Sequence, residues 1–411
     1  MRNIKVVIGA NYGDEGKGLV TNALATKDSV VVLTNGGSQR GHTVVYNGTR
    51  HVFHHFGSGT LKGAATYFSE FFIVNPIEFN RELKELGFKN KVFASDKCRV
   101  TTPFDMVANR IRCLENKNPH STGYGIYETI ERYKSGTYFL LYDFIKSNNR
   151  DIWATEIEKI REYYSEKFSY IKDAKDKELA KCFEFLNNKN VTDNFIEDLS
   201  KFIDSLDGIT SFKKVFEAYE DIIMENGQGL AISEDADEDG TPTLTGLDIP
   251  SILIKGICNE PLADNYHVDA YYVSRSYLTR HGSGKFIKEQ GELDDKTNIP
   301  NEYQGKIRFG YFDQSSLNDV FFRITKDRFR DCNRCLGACP HLVITHANEI
   351  KKLLISHASL QIENPDGTLA FTDMFYPIDI LLSNNESDIL ERGYYAIEGD
   401  NIIKFKNYTE K

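Results

Sequence analysis

The chain has 411 residues, enough for two or three domains or for one large α/β domain carrying an insertion. Its 50 Lys and Arg against 60 Asp and Glu leave a net charge of −10, which argues against non-specific nucleic-acid binding, a function that needs a basic field. With 40% hydrophobic and 27% charged residues, and no apolar run near the roughly 20 residues that cross a bilayer, the composition fits a soluble globular protein.

Residues 4–10 read as a buried strand, reached so directly from Met1 that no cleaved signal fits before it, which predicts a cytoplasmic protein. Residues 16–26 read as a helix behind a glycine-rich turn, and residues 29–34 as a second β-branched strand. Further strand-like stretches cover 52–56, 67–74 and 91–94. Strands alternating with helices predict an α/β fold with a mostly parallel central sheet flanked by helices. The texture changes at about 146–216, which is rich in Glu, Lys, Tyr and Phe. Ile157, Ile160, Tyr164 and Phe168, and then Leu199, Phe202 and Leu206, follow helical spacing, so this stretch is expected to be a helical insertion within a single domain spanning 1–411. Strand patterns return at 221–224, 271–274 and 342–345.

Seven cysteines without a dense framework point to reduced thiols. Cys332, Cys335 and Cys339 have a spacing that could begin a zinc site with His341 as a fourth ligand; the alternative is three small residues about a turn at Gly337 and Pro340.

The chemistry concentrates in two glycine segments. Gly9-Ala-Asn-Tyr-Gly13-Asp14-Glu15-Gly16-Lys17-Gly18 follows the first strand and opens the first helix. Glycines let backbone N–H groups converge on an anion, the helix N-terminus adds partial positive charge, and Lys17 adds a full one. The Walker pattern wants Gly where Asn11 stands and Ser or Thr where Gly18 stands, so the usual magnesium-binding hydroxyl is missing. Asp14 lies inside the loop, where a carboxylate repels phosphate unless it binds a cation or takes a proton. The second segment, Asn35-Gly36-Gly37-Ser38-Gln39-Arg40-Gly41-His42-Thr43-Val44, carries the best general-acid candidate, His42.

Together these segments resemble the adenylosuccinate synthetase family, whose signature is Gly-Asp-Glu-Gly-Lys-Gly followed by Gly-Gly-x-Asn-x-Gly-His-Thr-Val. The hexapeptide is complete at Gly13–Gly18, and Gln39 replaces Asn in the second block. Four more blocks follow in the family's order: His55–Leu61, Ser121-Thr122-Gly123-Tyr124-Gly125-Ile126, Asn226-Gly227-Gln228-Gly229, and Thr279-Arg280-His281-Gly282-Ser283-Gly284, where the family has Thr-Arg-Val-Gly-x-Gly. The resemblance implies a P-loop-NTPase-like sheet and a ligase. Such an enzyme phosphorylates O6 of a 6-oxopurine nucleotide and lets L-aspartate displace that phosphate at C6. Asp14 would take the N1 proton and bind Mg2+ together with the Gly41 carbonyl. His42 would donate to the transferring phosphoryl group and Gln228 would bond the purine near O6. The nucleotide phosphates would be held by the loop Gly13, Glu15, Gly16, Lys17 and Gly18, by Gln39, Thr43, Ser121, Thr122 and Gly229, and by Thr243 or Thr245. The family's shared dimer sites predict a homodimer, with Arg132 or Lys134 reaching the partner's phosphate.

Two departures bear on the substrates. The family's aspartate loop carries four consecutive arginines, whereas Gln304–Asp313 keeps only Lys306 and Arg308, with Arg280 or Arg275 as a further clamp. Thr345-His346-Ala347-Asn348 replaces the family's Thr-Lys-Leu-Asp, exchanging the guanine-reading carboxylate for a neutral Asn348, which predicts ATP or dATP in place of GTP as donor. Ser383-Asn384-Asn385 resembles the second base-contact loop. Retained Asp14 favours IMP as substrate. The alternative is (d)GMP, the substrate class of the phage 2-aminoadenylosuccinate synthetases, which replace that Asp by a small residue. A reading of another class is a nucleotide-binding regulator without ligase activity.

Overall fold

The computed structural model describes residues 2–116, 121–137, 140–232, 253, 266–281, 286, 289, 306–331, 339–346, 352–356, 359–364, 368–373, 379–383, 389–390, 394–398 and 401–405. A ten-stranded sheet organises them. Its spatial order is Ile389–Leu390, Asp379–Ser383, Cys339–Thr345, Tyr266–Arg275, Arg2–Gly9, Asp221–Gly229, Ser29–Leu33, Ala65–Phe68, Val92–Ala94 and Gly208–Ile209. Every neighbouring pair is parallel except the edge pair Asp379–Ser383 with Ile389–Leu390.

The central strands read as unbroken apolar runs because both faces of the sheet are covered. Ile4, Val6, Ile8, Val30, Val32, Ile222 and Met224 join one buried cluster, while Val7, Val31, Leu33 and Ile223 join the other. Successive residues of one strand therefore feed opposite cores, as the two-residue period of a strand requires.

The expected strand at 52–56 is displaced to Thr49–Phe53 and pairs with His42–Tyr46 as an antiparallel hairpin outside the main sheet. The reason is its turn, since Asn47 and Gly48 both have positive φ (48° and 76°), the geometry of a tight two-residue hairpin. The stretch 67–74 divides into Ala65–Phe68 and Ile73–Val74. Within 146–216, the helices Arg150–Lys167, Lys177–Leu186 and Asn190–Asp204 bury Ile157, Ile160, Tyr164, Leu199 and Phe202. That stretch is not wholly helical, because Gly208–Ile209 closes the edge of the main sheet. A five-stranded antiparallel sheet in the C-terminal part, running Leu369–Asp373, Ser359–Glu363, Lys352–Ser356, Tyr394–Glu398, Asn401–Phe405, was outside the sequence expectation.

Cys332 and Cys335 lie outside the described residues. His341 is engaged elsewhere: its Nε2 is 2.9 Å from Asp269 Oδ1 and its ring stacks on Tyr271. Cys98, Cys113 and Cys182 are free thiols. Among the described residues no helix is long and apolar enough to cross a membrane.

Candidate functional site

The carboxyl ends of the central strands carry the glycine segments, the position where open parallel sheets bind ligands. From Arg2–Gly9 the chain turns through the loop 10–16 into the helix Lys17–Leu24, whose N-cap Gly16 is left-handed. The loop holds two acids with different roles. Glu15, 1% exposed, turns its carboxylate inward, where Oε1 accepts from the backbone N–H of Asn11 (3.1 Å) and Gly13 (2.8 Å) and Oε2 pairs with Lys17 Nζ at 2.9 Å. Glu15 is thus the organiser of the loop, an acceptor for the very amides and ammonium expected to meet phosphate. Asp14 is half-buried with φ 60°, and its Oδ2 lies 2.8 Å from Nδ1 of His281. Burial alone raises the Asp14 pKa, but the hydrogen bond and charge of His281, with Arg275 and Lys17, outweigh it and leave the carboxyl below its ordinary value.

The end of the strand Asp221–Gly229, at Gln228–Gly229, is pressed onto this loop. A Cβ on Gly229 would stand 2.2 Å from the Asn11 carbonyl oxygen, and the Ala231 N–H donates to that oxygen at 2.9 Å. Half-buried Gln228 is thereby brought beside the phosphate loop. Thr345 Oγ1 donates to the Glu15 carbonyl at 2.6 Å, which sets the end of the strand Cys339–Thr345 against the same loop.

His42 begins the hairpin and packs on the first helix so closely that a Cβ on Gly18 would lie 2.7 Å from its own Cβ. Its Nδ1 is 2.5 Å from Oε1 of Glu225 and 3.0 Å from Nη2 of Arg40. Glu225 is fully buried and also takes Arg40 Nη2 at 2.8 Å, the Ser58 hydroxyl and the Ser58 N–H at 3.1 Å. Burial raises the Glu225 pKa, but Arg40 and His42 hold it far below the carboxylate range. Burial, with the charges of Arg40 and Lys17, lowers His42 to about 4 against the opposing pull of Glu225, so the imidazole is neutral at pH 7. Sequence reasoning missed Glu225 and Arg40. The available signal was a carboxylate in the middle of the strand Asp221–Gly229, directly after its apolar run Ile222–Met224.

Next to this triad, buried side-chain atoms lack hydrogen-bond partners among the described residues: Ser38 Oγ, both amide atoms of Gln39, and Nδ2 of Asn35 and of Asn226. Buried polar atoms are normally satisfied, so this group has hydrogen-bonding capacity left for water or a polar ligand. Gly41 is exposed and Thr43 half-buried beside it. Ser121 Oγ donates to Asn109 Oδ1 at 2.8 Å and accepts from the Gly123 N–H, and Thr122 is half-buried.

On the other side of the loop, Leu278–Arg280 pairs antiparallel with Arg308–Gly310, placing Arg280 directly opposite Arg308. Arg308 meets Glu289 through Nε and Nη2, both at 3.1 Å, and Lys306 is exposed. Thr243, Thr245 and Asn348 lie outside the described residues, and of Ser383 only the backbone, at the end of its strand, is described. Of the two basic residues expected near a partner's phosphate, Arg132 is turned inward, its guanidinium fully buried against both oxygens of Asp105 (2.8 and 3.0 Å) and the carbonyls of Val100 and Thr137. Lys134 is exposed and pairs with Glu131 on its own helix.

A helix entered through glycines at the carboxyl edge of a parallel sheet, with lysine, acid and histidine converging there, defines an α/β protein of the nucleotide-phosphate-binding class. The family model described as adenylosuccinate synthetase matches residues 6–321, and the chain belongs to that adenylosuccinate synthetase family, a family of ligases. The adenylosuccinate synthetase of Hydrogenobaculum sp. is 25% identical over 312 residues, covering 71% of this chain and 67% of that protein. That of Borrelia turicatae is 26% identical over 326 residues, covering 76% and 72%. The match thus spans about two-thirds of such relatives' length. In fold, the chain resembles fully ligated adenylosuccinate synthetase from Plasmodium falciparum (TM-score 0.61, 17% identity, 96% of this chain and 88% of that one). It also resembles the succinoaminodeoxyadenylate synthetase PurZ of cyanophage S-2L, solved with dGMP and dATP (TM-score 0.50, 14% identity, 85% of each chain).

Proposed function

We propose that this chain joins L-aspartate to C6 of a 6-oxopurine nucleotide, IMP in the first place, through a 6-phosphoryl intermediate, with ATP or dATP as donor. The observation that carries the reading is Asp14, a carboxylate set within the phosphate loop with one oxygen outside its bond to His281. An acid there repels phosphate; it is useful as a base toward the purine N1–H or as a hard oxygen donor to a cation.

Asp14 takes the N1 proton as O6 attacks the γ-phosphorus, the bond to the β,γ-bridging oxygen breaks and the nucleoside diphosphate leaves; the amino group of L-aspartate then adds at C6 and inorganic phosphate departs with O6. Nδ1 of His42 is occupied on the Glu225 and Arg40 side, which leaves Nε2 for the substrate. The negative charge of a bound phosphoryl group favours a second proton on the ring, and the imidazolium then donates from Nε2. Gln228 contacts the purine near O6, and Gln39, Ser121 and Thr122 contact its phosphate. Lys17 reaches the donor's phosphates by exchanging Glu15 for them. Arg280 and Arg308, opposite each other, take the aspartate carboxylates with Lys306. Asp14 and the Gly41 carbonyl fit Mg2+, which accepts few protein oxygens when phosphates complete its shell; when bound it neutralises charge on the transferring group. With Arg132 internal, Lys134 is the basic residue of this stretch that remains to cross a homodimer interface. These roles suit a cytoplasmic enzyme.

The test mixes purified protein with Mg2+, L-aspartate, one donor (ATP, dATP or GTP) and IMP, GMP or dGMP in turn, and follows phosphate release with and without aspartate. Aspartate-dependent release with IMP is expected. Release with dGMP or GMP alone would replace IMP by the 2-amino substrate. No aspartate-dependent release with any purine would leave a nucleotide-binding protein and end the ligase reading. GTP exceeding ATP by roughly tenfold, about 1.4 kcal/mol, would overturn the donor assignment.

A further inference from the structure

We infer that His281 is a positioning residue for Asp14, holding one carboxylate oxygen so that the other is presented to the nucleobase. The inference rests on the ligase reading and adds to it a residue outside the family's pattern, since the motif Thr-Arg-Val-Gly-x-Gly has Val where this chain has His281.

Nδ1 of His281 stands 2.8 Å from Oδ2 of Asp14, with the two side chains 20% and 24% exposed, so the pair sits at the lip of the site with its contact partly shielded from water. The segment bearing His281 grips the same stretch of loop at two further points. Thr279 Oγ1 donates to the Gly13 carbonyl at 2.8 Å, and Arg275 Nε donates to the Asp14 carbonyl at 2.6 Å. Backbone and side chain of the loop acid are therefore fixed to one short piece of chain, residues 275–281. Valine has no donor and could hold neither oxygen. Without the imidazole, the carboxylate keeps the attraction of the Lys17 and Arg275 charges, which is non-directional and does not fix which oxygen faces the nucleobase. A base misplaced by about 1 Å loses much of its rate while substrate binding, made by other groups, is kept.

The experiment compares the full chain with His281→Val, which installs the family's residue, and His281→Asn, whose amide N–H restores a donor at nearly the same reach. In the ligase assay His281→Val is expected to lower kcat about tenfold, equivalent to about 1.4 kcal/mol, with KM for nucleotide and aspartate within about twofold. His281→Asn is expected to recover most of the lost rate. A His281→Val enzyme with unchanged kcat overturns the proposal, as does a His281→Asn enzyme as slow as His281→Val, since then bulk rather than the hydrogen bond is what matters. A second readout needs no turnover: in protein labelled with 15N-histidine and free of nucleotide and metal, one downfield Nδ1–H resonance is expected to vanish in His281→Val and to shift in Asp14→Asn. Its absence from the unaltered chain also overturns the proposal. If the unaltered chain shows no ligase activity yet keeps the resonance, the functional reading fails and the pairing stands.

Discussion

At Asp14 the backbone has φ 60°, a left-handed conformation that costs most side chains about 1 kcal/mol and that Asn and Asp tolerate best after Gly. Asp14→Asn therefore keeps the loop while removing the base, and its expected result is loss of ligase turnover with a thermal midpoint close to that of the unaltered protein; near-normal turnover would remove the proposed mechanism. Glu225 behaves differently because it is structural as well as local to the chemistry. Glu225→Gln leaves the Arg40 guanidinium buried without its counter-charge, an effect on the order of 3–5 kcal/mol, so urea unfolding should show a large loss of stability together with slower turnover. Stability unchanged in that variant would mean that Arg40 finds another partner. Asp14, Lys17 and His42 were legible because they lie within contiguous motifs. Glu225 and His281 were not, because His42 meets Glu225 across 183 positions of sequence and Asp14 meets His281 only through the return of a distant strand. The unusual His at position 281 was visible in the motif, but its partner was not.

At the scale of elements, one buried network ties the helices of 146–216 to the site-bearing half of the chain. Tyr164, on the helix Arg150–Lys167, donates its hydroxyl to Asp105 Oδ1 at 2.7 Å while Asp105 holds Arg132. The apolar period of that helix was readable from Ile157, Ile160 and Tyr164, but no periodicity announces a polar anchor at the end of an otherwise greasy face. Tyr164→Phe leaves Asp105 bonded to Arg132 and Thr102, so its expected cost is about 1 kcal/mol. Arg132→Leu strands the buried carboxylate and should cost about 3–5 kcal/mol. The ordering is the test: denaturant unfolding that finds Tyr164→Phe the more damaging variant would contradict this account of the network. The edge strand Gly208–Ile209 escaped the sequence reading because a two-residue strand carries no pattern. The strand Thr49–Phe53 was expected a few residues late, and its pairing was not foreseen, because only Val52 and Phe53 in it are apolar and such a short signal does not reveal which sheet it joins.

For the whole molecule, the parallel order of the sheet follows from strands buried on both faces, and that burial extends to the histidines beside it. His42 is lowered to about 4 and His55 well below its ordinary value, the first cause in each being burial. In the unfolded chain both titrate near 6.5. Between pH 6.5 and about 4 the unfolded state therefore binds protons that the folded state refuses, and stability must rise with pH through this window. Conversely, acidification from pH 7 draws the equilibrium toward the unfolded chain, and at about 1.4 kcal/mol per pH unit His42 alone accounts for on the order of 3 kcal/mol by pH 4. Glu225 works in the same direction only lower down, since its depressed carboxyl stabilises the fold above the unfolded value of 4.5 and begins to lose that contribution below it. Free of nucleotide and metal, the protein should thus lose stability measurably between pH 6.5 and 5, before ordinary carboxylates titrate. His42→Gln removes one of the two refused protons, so its plot of unfolding free energy against pH should be visibly flatter there than that of the unaltered chain. Identical slopes for the two proteins would show that His42 takes up its proton in the folded state, with Glu225 rather than burial governing the ring.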